Sequence, residues 1–300
     1  MQRWLVYMSA LLIVLAVAYG AYKYANEAKG REVVVEIGDT VYVNYTGWLY
    51  DYRIYESARV FDTTYPDVVK DNKTYPKTVS FDFERRRGEP FKFKVGEGEV
   101  IKGWDKRIIG MKVGEKARWV IPPSEAYEPY LNELVVNISV YEHWQVIEKM
   151  EKYYFESKYG CDAEEGMHIT HYFWGWNATV LGIENNDVLI QNVPEVGKEY
   201  MTKYGWKCVV LSINQSANGG DGDILIENNP VLGQKVSTRD VTNHFDNLKY
   251  IIDKQRKYQG GMVDGIVVGI SDENITVDFN NEVYGKTLIF DVVVVNIEKS

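Results

Sequence analysis

The sequence predicts an α+β fold preceded by an apolar N-terminal segment, on three observations. Residues Phe91–Pro123, FKFKVGEGEVIKGWDKRIIGMKVGEKARWVIPP, read as strand, turn, short helix, turn and strand. A strand–turn–strand motif recurs three times between Val180 and Lys286. Two further stretches carry apolar residues at helical spacing, Val140–Lys158 and Arg239–Gln259.

Taken in chain order, Trp4–Tyr22 comes first. WLVYMSALLIVLAVAYGAY holds no charge and is bounded by Arg3 and Lys23. Its nineteen residues, at 1.5 Å each, just cross a hydrocarbon core of roughly 30 Å. The segment reads as a retained transmembrane anchor whose Trp4, Tyr7, Tyr19 and Tyr22 suit the interfacial belts, or as a signal peptide cleaved near Ala16–Ala18 or after Ala21. Both readings put the bulk of the chain outside the cytoplasm. Asn-x-Ser/Thr triplets at Asn44, Asn72, Asn137, Asn177, Asn214 and Asn274 point the same way, because the composition gives about one or two by chance. Asn44 lies mid-strand and is the least suited to carry a glycan.

A polar linker, Tyr24–Arg31, leads to strand signals at Val33–Ile37 and Thr40–Tyr50. In the latter, Val41, Val43 and Tyr45 share one face and Tyr42, Asn44 and Thr46 the other, with Gly47 allowing a bend. Tyr65–Pro90 holds three of the eight prolines and many charges, so it reads as an excursion between strands. Within Phe91–Pro123, Gly96 and Gly98 mark one corner and Gly110 and Gly114 the other, and Val100, Ile101 and Trp104 form an apolar floor.

Beyond Glu128, Val140, Trp144, Ile147, Met150 and Tyr154 fall on one helical stripe, stopped by Gly160. A second helix reads from about Arg239 to Gln259, with Val241, Phe245, Leu248 and Ile252 inward and Gly260–Gly261 as its stop. The recurring motif pairs Val180-Leu-Gly-Ile with Asp187-Val-Leu-Ile, Val210-Leu-Ser-Ile with Asp223-Ile-Leu-Ile, and Val267-Val-Gly-Ile with Asn274-Ile-Thr-Val. The copies close on Gly197-Lys198, Gly233-Gln234 and Gly285-Lys286. Three such hairpins fit one small sheet, and copies this few and irregular argue against a solenoid.

Composition narrows function. At 300 residues and 45% hydrophobic the chain can bury a full core and divide into two globular units. The net charge of -9 and one short basic run, Arg85–Arg87, argue against a nucleic-acid partner. That run reads as a solvated loop. Cys161 and Cys208 are the only cysteines, and whether they pair is open; neither has a second ligand at metal spacing. His168 and His171 stand three apart, which on a strand faces opposite sides, so no metal or other cofactor is expected. The aromatic run His171–Trp176 is either the core of a small domain or a surface for apolar segments of another polypeptide.

These residues resemble the FKBP-type peptidyl-prolyl isomerases. The resemblance rests on VNYTG around Tyr45, VFDTT around Phe61-Asp62, PFKF at Phe91, EVIKGW at Val100, Ile101 and Trp104, PPSEAY at Tyr127, and TLIFDV around Phe290. It implies an antiparallel sheet wrapped on one short helix, with Trp104 as the floor under a prolyl ring and Tyr45, Phe61, Phe91 and Phe290 as walls. It further implies that the Ile101 N–H and the Tyr127 hydroxyl hold substrate carbonyls and that Asp62 supplies a fixed charge. Glu128 departs from the family glycine after the tyrosine. The distance from Tyr127 to Phe290 resembles the long, SlyD-type and archaeal branch, in which a chaperone-like domain is inserted in the flap; NNEVYGKTLIFDV at Asn280–Val292 is similar to its return segment. The implied division is residues 1–31 anchor and linker, 32–127 first part of the isomerase domain, 128–284 insert, and 285–300 last strand. The implied activity is rotamase and folding chaperone on X-Pro bonds of unfolded or partly folded extracytoplasmic polypeptides. A non-catalytic, membrane-anchored holdase that keeps the fold is the alternative.

Overall fold

The computed structural model describes residues 15–19, 33–85, 87–244 and 248–300. The expected span Trp4–Tyr22 lies outside them except for Leu15–Tyr19, which is helical. Among the described residues no helix is long and apolar enough to cross a membrane. Phe245, assigned to the inward face of the second helix, also lies outside them. The described chain mixes helices with sheets whose paired strands all run antiparallel.

The first sheet begins with β1 (Thr40–Leu49), β2 (Arg59–Thr63), β3 (Phe91–Lys94) and β4 (Lys116–Ile121). Alternation over the first six residues of β1 buries Val41, Val43 and Tyr45, and β3 and β2 pair with its first and second halves. Val33–Ile37, expected as a strand, makes only an isolated bridge from Val34 to Lys112, because Val35 spends its backbone groups on Met111 and Gly110 in the next turn. The four corner glycines take φ of +83°, +73°, +87° and +84°. Between them runs the Lys102–Ile108 helix, with Trp104 and Ile108 buried.

After β4 the chain builds three further sheets from β5 (Val135–Ser139), β6 (Tyr141–Trp144), β7 (Ile147–Glu151), β8 (His168–Thr170), β9 (Asn177–Glu184), β10 (Asp187–Asn192), β11 (Glu199–Met201), β12 (Lys207–Asn214), β13 (Asp223–Asn229), β14 (Lys235–Val236), β15 (Gly265–Ile270) and β16 (Asn274–Asp278). The three hairpins do not share one sheet. Each stands in its own, ordered β8-β9-β10-β7, β11-β12-β13-β6 and β14-β15-β16-β5. Each first hairpin strand skips the second residue of its motif, so Leu181, Leu211 and Val268 are all bulged out of register. The copies are linked in series, since the Gly197 N–H bonds the Val210 carbonyl and the Gly233 N–H bonds that of Val267.

The expected helix over Val140–Lys158 is corrected: β6 and β7 occupy its first part, and helix is confined to Lys152–Tyr159, ending on Gly160 at φ +69°. The reason is that β5, β6 and β7 are three consecutive short strands, each completing a different sheet, and bends after four or five residues mimic helical spacing. The second helix is also two, Thr238–His244 and Tyr250–Gln259. Phe173, Trp174 and Trp176 are at most 1% exposed and lie inside the largest core, so the aromatic run is interior. The two cysteines are free, Cys161 exposed and Cys208 buried.

The chain returns through β17 (Leu288–Glu298), which inserts between β1 and β4 and completes a five-stranded sheet. Its register sets Phe290 opposite Gly47 and Trp119, which carries that ring to the centre of the core formed with Tyr45 and Trp104.

Candidate active site

Trp104 is the hub of the site. Tyr45 and Phe290 meet its ring edge-on at centroid distances of 5.0 and 5.1 Å, and Trp119, Phe93 and Phe91 close around it at 5.5, 5.8 and 6.1 Å. Such edge-to-face contacts hold each ring in one orientation as well as burying it. Above this hub opens a cavity of about 840 Å³. Tyr45, Phe91, Val100, Ile101, Trp104, Tyr127 and Phe290 all line it, so seven of the nine residues singled out from sequence meet at one cavity.

Phe61 and Asp62 stand one layer back. Phe61 packs edge-on against Phe290 at 5.5 Å and supports that wall from behind. Gly47, where the β1–β2 register shifts, also leaves room for these rings: a Cβ there would lie 2.7 Å from Phe61 Cζ and 3.0 Å from Phe290 Cε1. The Asp62 carboxylate accepts a hydrogen bond from the Tyr45 hydroxyl and pairs with Arg85, and Arg87 approaches it at 3.7 Å. The basic run is therefore not merely a solvated loop. Arg85 and Arg87 return from the Tyr65–Pro90 excursion to neutralise the buried end of the site, and Arg87 also lies 4.7 Å over the Phe81 ring. No local pattern announces that contact.

Burial, with the neighbouring Asp62 carboxylate, raises the Tyr45 pKa, so this phenol stays a donor. Desolvation and Asp62 also raise that of Tyr127. Tyr127 is 41% exposed, and its ring stacks on that of Tyr284 at 6.4 Å. The Ile101 N–H, at the start of the Lys102–Ile108 helix, donates to no group among the described residues. Tyr284, Tyr130, Trp119 and Phe93 are site or support residues that sequence reasoning missed. Alternation along β3 and β4 could have found the last two.

His171 is committed elsewhere. Its Nε2 faces Glu148 Oε2 at 3.0 Å and its Nδ1 accepts from the Phe173 and Trp174 amides, while His168 Nδ1 meets the Thr179 hydroxyl.

The family model of FKBP-type peptidyl-prolyl cis-trans isomerases matches residues 32–170. The FK506-binding protein 2 of Yarrowia lipolytica is 40% identical over 136 residues, covering 39% of this chain and 76% of that protein. The chain belongs to the FKBP-type peptidyl-prolyl cis-trans isomerase family. The FK506-binding protein 2 of Dictyostelium discoideum is 57% identical over 47 residues, 16% of this chain and 35% of that protein. The short-type peptidyl-prolyl cis-trans isomerase of Methanocaldococcus jannaschii is 39% identical over 77 residues, 26% of this chain and 45% of that protein. The chain thus spans less than half the length of these two relatives. The FKBP match stops at residue 170, whereas the sheet that holds the pocket is completed only by β17.

Proposed function

We propose that this chain is a peptidyl-prolyl cis-trans isomerase, a rotamase acting on X-Pro bonds of unfolded or partly folded polypeptides. The observation that carries the reading is the Trp104-centred aromatic pocket with the Tyr45–Asp62 hydrogen bond at its back. Rotation about an X-Pro amide faces a barrier of about 18–20 kcal/mol, most of it resonance, and no nucleophile or metal is needed to lower it. A dry apolar pocket that holds the prolyl ring and fits the twisted amide better than either planar isomer is sufficient. In this reading Trp104 floors the ring, Phe91, Val100 and Phe290 exclude water, and the Ile101 N–H and Tyr127 hydroxyl hold carbonyls on either side. Phe61 braces Phe290, and Asp62 fixes Tyr45.

The same reading divides the chain into an anchor and linker (1–31), an isomerase domain split into 32–127 and 285–300, and a flap insert of the SlyD type (128–284) that recruits clients. Exposed apolar side chains on the insert, among them Leu181, Ile183, Val193, Val196 and Met201, support recruitment there rather than at His171–Trp176. An extracytoplasmic, membrane-tethered location is part of the proposal; five of the six sequon asparagines are exposed, and only Asn44 is half-buried.

Proline-limited refolding of a model protein by the full chain tests the enzyme. Wild type shortens the slow phase; Asp62→Ala, by releasing the Tyr45 hydroxyl, lowers kcat/KM about tenfold or more. The second reading, a non-catalytic holdase, draws on Tyr127 being 41% exposed beside the unusual Glu128. It holds if wild type suppresses aggregation but leaves the slow phase untouched.

A further inference from the structure

The cavity over Trp104 is larger than a prolyl ring requires. Its 840 Å³ falls near the upper end of the ~300–1,000 Å³ that takes a drug-sized ligand. The extra space is lined by Glu128, Pro129, Tyr130, Tyr284 and Gly285, which belong to the two connectors leaving and re-entering the five-stranded sheet. We propose that Tyr127, Tyr130 and Tyr284 form a second, aromatic subsite continuous with the prolyl pocket, which takes an aromatic or long apolar side chain of the same polypeptide outside its X-Pro pair. It rests on the isomerase reading in taking a proline-containing polypeptide as occupant.

The wall is built rather than incidental. Tyr127 and Tyr284 come from different connectors, and their rings lie within 23° of parallel. The connectors touch: a Cβ on Gly285, at φ +67°, would lie 2.6 Å from the Tyr130 Cβ. The Tyr130 hydroxyl donates to Asp278 Oδ2 at 2.8 Å and accepts from Arg53 Nη1 at 3.1 Å, so the ring cannot swing away without breaking both bonds. On the return side Glu282, 8% exposed, accepts the Ser80 amide at 2.9 Å and the Tyr55 hydroxyl. That fixes the backbone two residues before Tyr284. An aromatic slot ordered before binding spares the ligand the entropy of ordering it. The rim carries Glu99, Lys102 and Glu128, both signs of charge, so selection falls to the rings rather than to the rim.

The test uses the full chain and a set of peptides that share one Ala-Pro pair and carry Phe, Leu, Ala or Lys at a single flanking position, moved from three residues before the pair to three after. Affinity is read by anisotropy of the labelled peptides and isomerisation is followed on the same set. At one position Phe binds about tenfold tighter than Ala, the size of an aromatic contact added to its buried area. Tyr284→Ala brings that ratio to about twofold or less, and Tyr284→Phe keeps it. Because the ratio is taken within one variant, a loss of folded protein cancels from it. Glu282→Gln, as a positioning change, lowers the Phe-to-Ala ratio part of the way and does so through KM rather than kcat. Equal affinity of Phe and Ala at every position, preference for Lys, or a ratio that survives Tyr284→Ala overturns the subsite. Binding with the expected ratio but no isomerisation of any peptide overturns the isomerase reading and leaves the subsite standing.

Discussion

At the scale of single residues, Glu142 and Glu148 show how one neighbour decides the state of a carboxyl group. Both accept from an asparagine side chain, Asn228 and Asn192, each of which in turn accepts a Trp indole N–H, from Trp206 and Trp176. Burial alone would raise both. At Glu148 the His171 ring, with Trp144 and Asn192, reverses that and holds the pKa below the ordinary value. At Glu142 no cation among the described residues answers burial, hydrogen bonds from Asn228 and Tyr204 offset only part of it, and the pKa is raised from 4.5 to about 7. The folded protein therefore holds this proton more tightly than the unfolded chain. Its contribution is complete below pH 4.5 and is lost as the pH rises through about 7. Glu142→Gln removes the penalty: at pH 8 the variant is expected to gain about 1–3 kcal/mol over wild type, and at pH 4 to be near equal to it. Thermal denaturation from pH 4 to 9 checks this, and equal slopes for the two proteins would refute it.

At the scale of elements, the Lys102–Ile108 helix seats against β4 through Gly103. A Cβ at Gly103 would stand 2.5 Å from Ile121 Cγ2 and 2.9 Å from its Cδ1, and Ile121 is fully buried. Gly103→Ala must therefore lift the helix and Trp104 with it. The expected cost is about 1–3 kcal/mol in denaturant unfolding, accompanied by weaker proline-peptide binding; unchanged stability would mean that the helix has room that the packing denies. The helix, though not its Gly103 seat, was legible in the sequence because its parts are local. Phe91–Pro123 contains both turns, the helix and the floor, and each follows from nearby glycines and alternation. The hairpins were legible for the same reason, but their bulges at Leu181 and Leu211 and their separation into different sheets were not. What escaped depends on distant partners. Val135–Glu151 became three strands only because three separate hairpins offered edges, and the apolar spacing that results is one a helix also produces. Arg85 reaches Asp62 across 23 residues and Tyr284 reaches Tyr127 across the whole set of added sheets, so neither leaves a periodic trace.

At the scale of the whole molecule, the five-stranded sheet meets one of the added sheets, β14-β15-β16-β5, at a nearly buried ionic cluster. Asp51, at the end of β1, is 2% exposed and receives Arg53 at 2.6 Å and Lys286 at 2.9 Å. Arg53 also reaches Asp278 at 2.9 Å, at the end of β16, so one guanidinium joins carboxylates from both sides of the junction. Burial works to raise the Asp51 pKa, but the hydrogen bonds from Arg53 and Lys286 pull it from 3.8 down to about 2. The stability this supplies is present above the ordinary carboxyl range and is lost as the pH falls through about 2. Arg53→Met keeps the stem and removes the charge. It leaves Asp278 facing only neutral donors and halves the cations on Asp51, a change expected to cost about 3–5 kcal/mol. Asp51→Asn together with Arg53→Met should cost less than the sum of the two single changes, with a coupling of about 0.5–3 kcal/mol in the double-mutant cycle. The readout that separates a junction from a general loss of stability is calorimetry. If the cluster is what makes the sheets melt together, Arg53→Met splits a single transition into two and lowers the affinity for proline peptides, because Tyr130 loses one of its two anchors. A variant that melts in one transition, lower but undivided, would show that the sheets are coupled by apolar contacts and that the ions only fix their register.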